Sequence, residues 1–238
     1  MTQSNARAGS ADLRTMVIAA CRELTRRGLT HGTSGNVSVR CDGRRFFVSP
    51  SGMDYESLQV DDVPLMDLDG RWFGRRRPSS EWRFHRDIFR ARNDVGAIVH
   101  THSPQATALA CTGRGIPAFH YMVAVAGGRD VRCAPYRGFG TQELSDAALD
   151  ALKDRKACLL ANHGVIATGA DLPGAIWLAA EVENLALWPV LLVVDRIHPD
   201  RRAGAWPRLA TNRRVAAYEL ATHALFGAVL GALVRGEG

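Results

Sequence analysis

The sequence predicts a single α/β domain that contains an antiparallel β-sheet. Segments with apolar residues at helical spacing alternate with short apolar runs of strand length, and a hairpin turn separates the first two strand segments. The chain has 238 residues, 46% of them hydrophobic, which suits one well-packed domain and is short for two. We therefore expect residues 1–238 to form one domain.

A first amphipathic helix is predicted near the N-terminus. Apolar side chains recur at helical spacing over residues 13–24. Ser10 or Asp12 is available as the N-terminal cap, and Gly28 is a C-terminal stop signal.

A β-hairpin follows this helix. Apolar and polar residues alternate over residues 37–40, Asp42-Gly43 is typical of a tight turn, and residues 46–48 are apolar strand formers. An antiparallel sheet therefore begins here.

A second helix is predicted to start within the segment SSEWRFH, residues 79–85. Serine caps exposed amide groups, and Glu81 in the first turn suits the helix dipole. Trp82, His85 and Phe89 then share one face of the helix.

The next strand is predicted at residues 97–102, and Ser103-Pro104 starts a helix with serine as the cap and proline at the first helical position. Further strands and helices alternate after this point. The strands are expected at 131–134 and 157–161, and the helices after Thr141 and Asp171.

Two histidines stand at the end of the strand at 97–102. Side chains two residues apart on a strand lie on the same face, with Cα atoms about 7 Å apart, so His100 and His102 can reach one cation. Imidazole suits zinc, which in catalytic sites takes three protein ligands. The best third ligand is His163, which leaves another apolar strand where Gly164 allows close backbone approach.

Spacing alone leaves two interpretations open. The two histidines are also compatible with hydrogen-bonded core residues, and Glu81 with His85, four residues apart on one helix, form a rival metal-binding pair. No HExxH motif surrounds that pair. A packed histidine beneath a capping glutamate is therefore the favoured interpretation of His85.

Charge and hydropathy limit the class of partner. The net charge is +6, but the arginines are spread along the chain without a basic helix or an aromatic-basic RNA motif. This pattern favours anionic metabolites over nucleic acid. The short apolar run at 16–21, between Arg14 and Arg22, fits neither a secretory signal nor a membrane span, so we expect a cytoplasmic protein without membrane contact.

Five short motifs occur along the chain: GLTHGTSGNVSVR at 28–40, SPSG at 49–52, SSE at 79–81, HTH at 100–102 and NHG at 162–164. Together, and in this order, they resemble the class II aldolase and adducin family. Residues 116–141 are most similar to its L-fuculose-1-phosphate aldolase branch, and the resemblance covers about residues 10–188. It implies a central, largely antiparallel β-sheet flanked by helices on both faces.

The resemblance also implies roles for individual residues. His100, His102 and His163 match the zinc ligands, and Glu81 matches a catalytic glutamate that can also touch the metal. Tyr121, or a tyrosine of a neighbouring subunit, would exchange the proton of the aldehyde-derived hydroxyl. Phe139 matches a second aromatic residue that lines the pocket. The residues that match the substrate phosphate pocket are Gly35, Asn36, Ser51, Gly52, Ser79 and Ser80.

These roles agree with elementary chemistry. A phosphate dianion is well held by glycine-exposed amides, serine hydroxyls and a helix N-terminus. The implied reaction is reversible cleavage of a ketose 1-phosphate, of the fuculose, 5-deoxyribulose or methylthioribulose type, into dihydroxyacetone phosphate and an aldehyde. A divalent cation would stabilise the enediolate that this cleavage produces, and Glu81 would transfer a proton.

Three alternatives stay open. Sugar-phosphate 4-epimerases of the same family have the motif Thr-His-Ala-Asp where this chain has Ala118-Phe119-His120-Tyr121. The aspartate of that motif is missing here. A methylthioribulose-phosphate dehydratase would share most of the motifs. In a non-catalytic, adducin-like scaffold we would expect the metal-binding and catalytic residues to be lost, whereas this chain keeps its histidines, glutamate and serines.

The resemblance fails in the C-terminal part. Residues 171–187 read as one helix, and Pro189 predicts a break or kink in it. We expect residues 1–10 to be flexible and residues 189–238 to form a divergent tail, in which Tyr218 is the only tyrosine. The resemblance further implies a homotetramer with active sites at the subunit interfaces.

Overall fold

The computed structural model describes residues 9–197. This part of the chain contains five α-helices and eight strands, with three short 3-10 helices at Tyr55–Ser57, Val60–Asp62 and Tyr121–Ala126. The helices are α1 (Ser10–Arg26), α2 (Trp82–Ala91), α3 (Pro104–Ala110), α4 (Gln142–Ala151) and α5 (Leu172–Ile197). The strands are β1 (Asn36–Arg40), β2 (Arg45–Val48), β3 (Leu65–Asp67), β4 (Trp72–Phe73), β5 (Ala97–Thr101), β6 (Arg132–Ala134), β7 (Ala157–Leu160) and β8 (Gly164–Gly169).

The strands form one sheet in the order β4-β3-β2-β1-β5-β8-β7-β6. Within the described residues, every neighbouring pair is antiparallel except β6 with β7. The predicted hairpin is confirmed, since β1 pairs with β2 with Val39 opposite Phe47. The predicted largely antiparallel sheet is likewise confirmed.

Helices cover both faces of the sheet, as predicted. Successive residues of a strand point to opposite faces, and β2 shows the consequence. The ring of Phe46 packs on Phe89 of α2, with centroids 5.1 Å apart, while the guanidinium of Arg14 in α1 lies 5.0 Å from the ring centroid of Phe47. One apolar core lies between the sheet and the pair α2 and α4, and α1 and α3 pack on the other face.

The start of α2 differs from the prediction. Glu81 is the N-cap residue and not part of the first turn, and neither serine side chain caps the helix. Instead, the Ser79 hydroxyl accepts a hydrogen bond from the Glu81 amide at 3.3 Å, and its carbonyl accepts one from the Trp82 amide. The helix thus begins one turn later, which leaves residues 79–81 in an open loop.

The helix after Asp171 is longer than expected. It runs from Leu172 to Ile197 with Pro189 inside it, so the helix does not break at the proline, and the kink stays a prediction. Proline removes only one amide donor, and the other backbone hydrogen bonds of a helix of 26 residues remain available. Within residues 9–197, no helix is both long and apolar enough to cross a membrane.

The chain divides into two units at Leu187 and Trp188, close to the point where the sequence resemblance ends. The first unit contains the whole sheet. Ser10 already belongs to α1, so the end of the segment predicted to be flexible is helical. Residues 1–8 and most of the predicted tail, including Tyr218, lie outside the described residues.

Candidate metal centre

Three histidines converge because β5 and β8 are neighbours in the sheet. His100 lies in β5, His102 follows the end of that strand, and His163 stands in the short connection from β7 to β8. Asn162 adopts a left-handed conformation with φ 56°, which asparagine tolerates better than most residues, and this turns His163 toward β5. The predicted close approach at Gly164 is observed, since a Cβ there would lie 2.3 Å from the carbonyl oxygen of Thr101.

The three imidazole rings surround one point. Ring centroids of His100 and His102 are 4.8 Å apart, those of His100 and His163 are 4.8 Å apart, and those of His102 and His163 are 5.0 Å apart. One ligand atom from each ring and one carboxylate oxygen of Glu81 all lie within 4.8 Å of one another. This is the spacing that a single cation requires of its ligands.

Glu81 closes the cluster from the loop before α2. Its Oε2 lies 3.2 Å from Nε2 of His100, and its Oε1 lies 3.1 Å from Nε2 of His163. Oε1 is buried, and no atom within the described residues meets it with hydrogen-bond geometry. A buried carboxylate oxygen without a hydrogen bond is costly. Three imidazoles and this oxygen therefore fit a divalent cation well.

The orientation of His100 is set by the backbone of β8. Nδ1 of His100 donates a hydrogen bond to the carbonyl oxygen of Val165, at 2.8 Å. With the proton on Nδ1, the lone pair of Nε2 points toward His102, whose Nε2 is 3.0 Å away. Metal-binding histidines are commonly oriented in this way, because the outer hydrogen bond selects the tautomer that presents a bare nitrogen.

The electrostatic surroundings keep the cluster ready for a cation. Burial, with a smaller effect from the neighbouring His100 and His163, lowers the pKa of His102 to about 4, so its ring is neutral near pH 7. Burial raises the pKa of Glu81, but the neighbouring His100 and His163 outweigh this effect and hold that pKa below its ordinary value. A neutral imidazole and an ionised carboxylate are the forms that bind metal.

A cavity of about 360 Å³ opens beside the cluster. His102, His163 and Glu81 line it, whereas His100 is fully buried beneath. All six residues of the predicted phosphate pocket also line it, namely Gly35, Asn36, Ser51, Gly52, Ser79 and Ser80. Phe139 lines it as well. The remaining lining residues had no individual role in the sequence analysis and lie within three residues of positions that had one, namely Thr33, Ser34, Pro50, Tyr136, Arg137 and Asn162.

Tyr121 is not brought to this cavity within one chain. It is the first residue of a 3-10 helix, its side chain is 67% exposed, and its ring lies against that of His120, with centroids 4.5 Å apart. The residues that line the cavity do not include it. The role predicted for Tyr121 thus has no support from the geometry of a single subunit.

His85, the alternative metal ligand, makes its hydrogen bonds to residues outside the metal cluster. It is fully buried, its Nδ1 lies 2.7 Å from the Ser38 hydroxyl, and its Nε2 lies 2.5 Å from Oδ1 of Asn36. This agrees with a packed histidine and not with a ligand. Asn36 in turn donates from Nδ2 to Oε2 of Glu81 at 3.0 Å, so both polar atoms of its amide are engaged below the phosphate pocket.

The fold thus presents three histidines and a glutamate, a set of residues that could hold a metal ion, beside a polar cavity in an α/β sheet protein. Residues 15–189 match the family described as Class II Aldolase and Adducin N-terminal domain. The chain belongs to this family.

Several relatives are similar over most of the chain. A 5-methylthioribulose-1-phosphate/5-deoxyribulose-1-phosphate aldolase of Rhodospirillum rubrum is 55% identical over 185 residues, which are 77% of this chain and 83% of the relative. An L-fuculose phosphate aldolase of Escherichia coli K12 is 48% identical over 171 residues, 71% of this chain and 79% of the relative. A solved L-fuculose 1-phosphate aldolase structure superposes with a TM-score of 0.74 at 35% identity, covering 91% of this chain and 99% of that one.

Proposed function

We propose that this chain is a zinc-dependent aldolase that reversibly cleaves a ketose 1-phosphate into dihydroxyacetone phosphate and an aldehyde. The observation that carries the proposal is the meeting of two groups in one cavity: the cluster of three histidines with Glu81, and the serine and glycine loops suited to a phosphate. Substrates of the fuculose, 5-deoxyribulose and methylthioribulose types all fit this chemistry, and the names of the similar enzymes support the same set.

The phosphate end of the substrate would lie against Ser51, Gly52 and Ser80. Ser51 and Ser80 are exposed toward the cavity, and positive φ at Gly52 (67°) gives the backbone a turn that opens amides to an anion. Anchoring the phosphate here would place the adjoining carbons beside Glu81, the neighbour of Ser80 in the chain. Binding energy at the phosphate would thus orient the reacting carbons.

His100, His102 and His163 would hold the zinc ion, with Glu81 as a further ligand before substrate binds. A bound divalent cation supplies positive charge where negative charge develops on the substrate oxygens. Glu81 would move the proton on the carbon of dihydroxyacetone phosphate. Its carboxylate is ionised and lies in the lining of the cavity, as a general base requires.

The proton of the aldehyde-derived hydroxyl needs a second group, and we assign it to Tyr121 of a neighbouring subunit. The exposure of Tyr121, outside the cavity of its own chain, supports a role across an interface. We accordingly propose a cytoplasmic homotetramer with active sites between subunits. Phe139, which is 73% exposed at the cavity, would line the aldehyde end.

The test is to incubate the zinc-loaded protein with dihydroxyacetone phosphate and lactaldehyde, acetaldehyde or methylthioacetaldehyde, and to measure condensation. The rank order of rates identifies the sugar type. Conversion of a pentulose phosphate into its 4-epimer without release of an aldehyde would indicate the epimerase, and loss of water from methylthioribulose 1-phosphate would indicate the dehydratase. A protein that binds no zinc and condenses no aldehyde would be the scaffold, and the proposal would be wrong.

A further inference from the structure

A continuous chain of hydrogen bonds connects β1 to the catalytic glutamate through the interior. It runs from the hydroxyl of Ser38 to Nδ1 of His85 (2.7 Å), from Nε2 of His85 to Oδ1 of Asn36 (2.5 Å), and from Nδ2 of Asn36 to Oε2 of Glu81 (3.0 Å). Ser38, His85 and Asn36 are at most 2% exposed. We call these three residues the relay.

Two periodicities produce the relay. Asn36 and Ser38 are two apart on β1 and therefore point to the same face of the sheet. Glu81 and His85 are four apart, at the start of α2 and one turn into it, and therefore lie on the same side of the helix. When α2 packs on this face, Ser38 meets His85, and Asn36 meets both His85 and Glu81.

The direction of each hydrogen bond follows from the end at Glu81. A carboxylate only accepts, so the amide nitrogen of Asn36 faces Oε2 and the amide oxygen faces His85. That oxygen also only accepts, so Nε2 of His85 carries the proton. In a neutral imidazole Nδ1 is then bare and accepts from the Ser38 hydroxyl. Burial supports the neutral form, since it lowers the pKa of His85 to about 3.

We propose that His85 is a positioning residue that acts through Asn36 to hold Oε2 of Glu81 and leaves Oε1 as the oxygen that exchanges protons with the substrate. The inference rests on the proposed aldolase function. It gives the two oxygens of one carboxylate different roles: Oε2 accepts from Asn36, whereas Oε1 accepts no hydrogen bond within the described residues.

The hydrogen bond from Ser38, at the far end of the relay, helps to fix the orientation of the Asn36 amide at Glu81. Without the Ser38 hydroxyl, Nδ1 of His85 loses its hydrogen-bond donor, and only the Asn36 oxygen still favours the proton on Nε2. If the proton moved to Nδ1, Nε2 would become an acceptor, the Asn36 amide would turn over, and its oxygen would face the Glu81 carboxylate. Two acceptors would then oppose each other at about the distance that now joins donor and acceptor, and Glu81 would be displaced.

The first test is the tautomer of His85 in the zinc-loaded protein, measured by NMR of ¹⁵N-labelled histidine. We expect protonated Nε2 and bare Nδ1 on His85, and the opposite pattern on His100, whose Nδ1 donates to Val165. A proton on Nδ1 of His85 would overturn the proposal. This readout does not depend on activity.

The second test measures deuterium exchange on dihydroxyacetone phosphate in Ser38→Ala, His85→Leu and His85→Gln. We expect exchange to slow about 10- to 100-fold in the first two, the usual effect of losing an outer partner of an active-site ligand. Zinc should stay bound, because none of these variants changes an imidazole ligand. His85→Gln should recover most of the loss, because its amide nitrogen can donate to Asn36 in place of Nε2.

Ser145→Ala is the matched control. It also removes a fully buried serine hydroxyl with a hydrogen bond of 2.7 Å, here to Asp87 between α4 and α2. It should lower stability and leave exchange unchanged. If Ser38→Ala exchanges as fast as the unmodified protein, the relay is overturned even if His85→Leu does not fold. If the unmodified zinc-loaded protein shows no exchange at all, the aldolase proposal itself fails.

Discussion

Nε2 of His163 lies 3.1 Å from Oε1 of Glu81, an oxygen that is buried and accepts no hydrogen bond within residues 9–197. The Glu81 carboxylate thus presents to the ring nitrogens an oxygen that accepts no hydrogen bond. This relationship makes Glu81 both a candidate ligand and a candidate base, and the two roles can be separated by experiment.

Glu81→Gln should keep the metal and lose proton transfer. The three imidazoles are untouched and the amide oxygen can still face them, but an amide is no base at neutral pH. We expect deuterium exchange on dihydroxyacetone phosphate to fall about 10²- to 10⁴-fold, with bound zinc retained. Glu143→Gln, the same change on an exposed residue of α4, is the control. Exchange at the unmodified rate would remove Glu81 from its role.

His102→Ala should lose metal and activity together. It removes one of three imidazole ligands, so zinc affinity should fall by more than the ~10- to 100-fold that follows loss of an outer-shell partner. Zinc content after dialysis and condensation activity measure the effect. His31→Ala, at an exposed position, should change neither. A metal-free His102→Ala protein with full activity would contradict the metal-dependent reaction.

The metal-free protein should become less stable as the pH falls below about 6.5. The pKa of His102 drops from 6.5 to about 4 in the folded state, mainly through burial and to a smaller extent through the neighbouring His100 and His163. Between these two values the unfolded chain binds the proton and the folded chain does not, so stability decreases with decreasing pH. Urea unfolding across this window measures the loss, and it should be smaller in His102→Asn. An equal loss in both proteins would exclude His102 as a source.

Gly164→Ala should destabilise the centre. A Cβ at this position would lie 2.3 Å from the carbonyl oxygen of Thr101 and 2.9 Å from Cδ2 of His102, so β8 or β5 must shift. Overpacking of this kind costs about 1–3 kcal/mol in unfolding free energy, and zinc affinity should fall with it. Gly43→Ala meets nothing within 4 Å and is the control. Equal thermal midpoints for the two variants would argue against the close contact.

Mixed oligomers should test the assignment of Tyr121 across an interface. Tyr121→Phe and Glu81→Gln should each be weakly active alone. If Tyr121 acts on a neighbouring subunit, refolding the two variants together should restore part of the activity, because some sites then combine an intact Glu81 with an intact Tyr121. Activity equal to the average of the two separate variants would indicate that each chain uses its own tyrosine, or none.

Several features of the site follow from short sequence patterns. The spacing of His100 and His102, the strand that carries them and the proline that starts α3 depend on neighbours only a few residues away. The same holds for Gly164, whose need for a close approach was predicted from its position after a strand and is observed. Family resemblance extended these local patterns to Glu81 and the phosphate loops.

Other features depended on contacts that local patterns do not contain. Strand β8 was not predicted, because the residues after His163 resemble a buried apolar segment without alternation. The start of α2 moved from the serines to Trp82, because the Ser79 hydroxyl bonds to the Glu81 amide and does not cap the helix. Tyr121 carries an aromatic match but lies outside the cavity of its own chain.

The sequence by itself determined the α/β class, the antiparallel hairpin and the family, because these depend on periodicity and on short motifs. Only the tertiary structure showed that Asn36, which sequence resemblance assigned to the phosphate pocket, also lies between Glu81 and His85 and is hydrogen-bonded to both. Those two partners are 45 and 49 residues away along the chain. A hydrogen bond across such a distance exists only after α2 has packed on β1, since side-chain direction at that contact is set by packing and not by neighbouring residues.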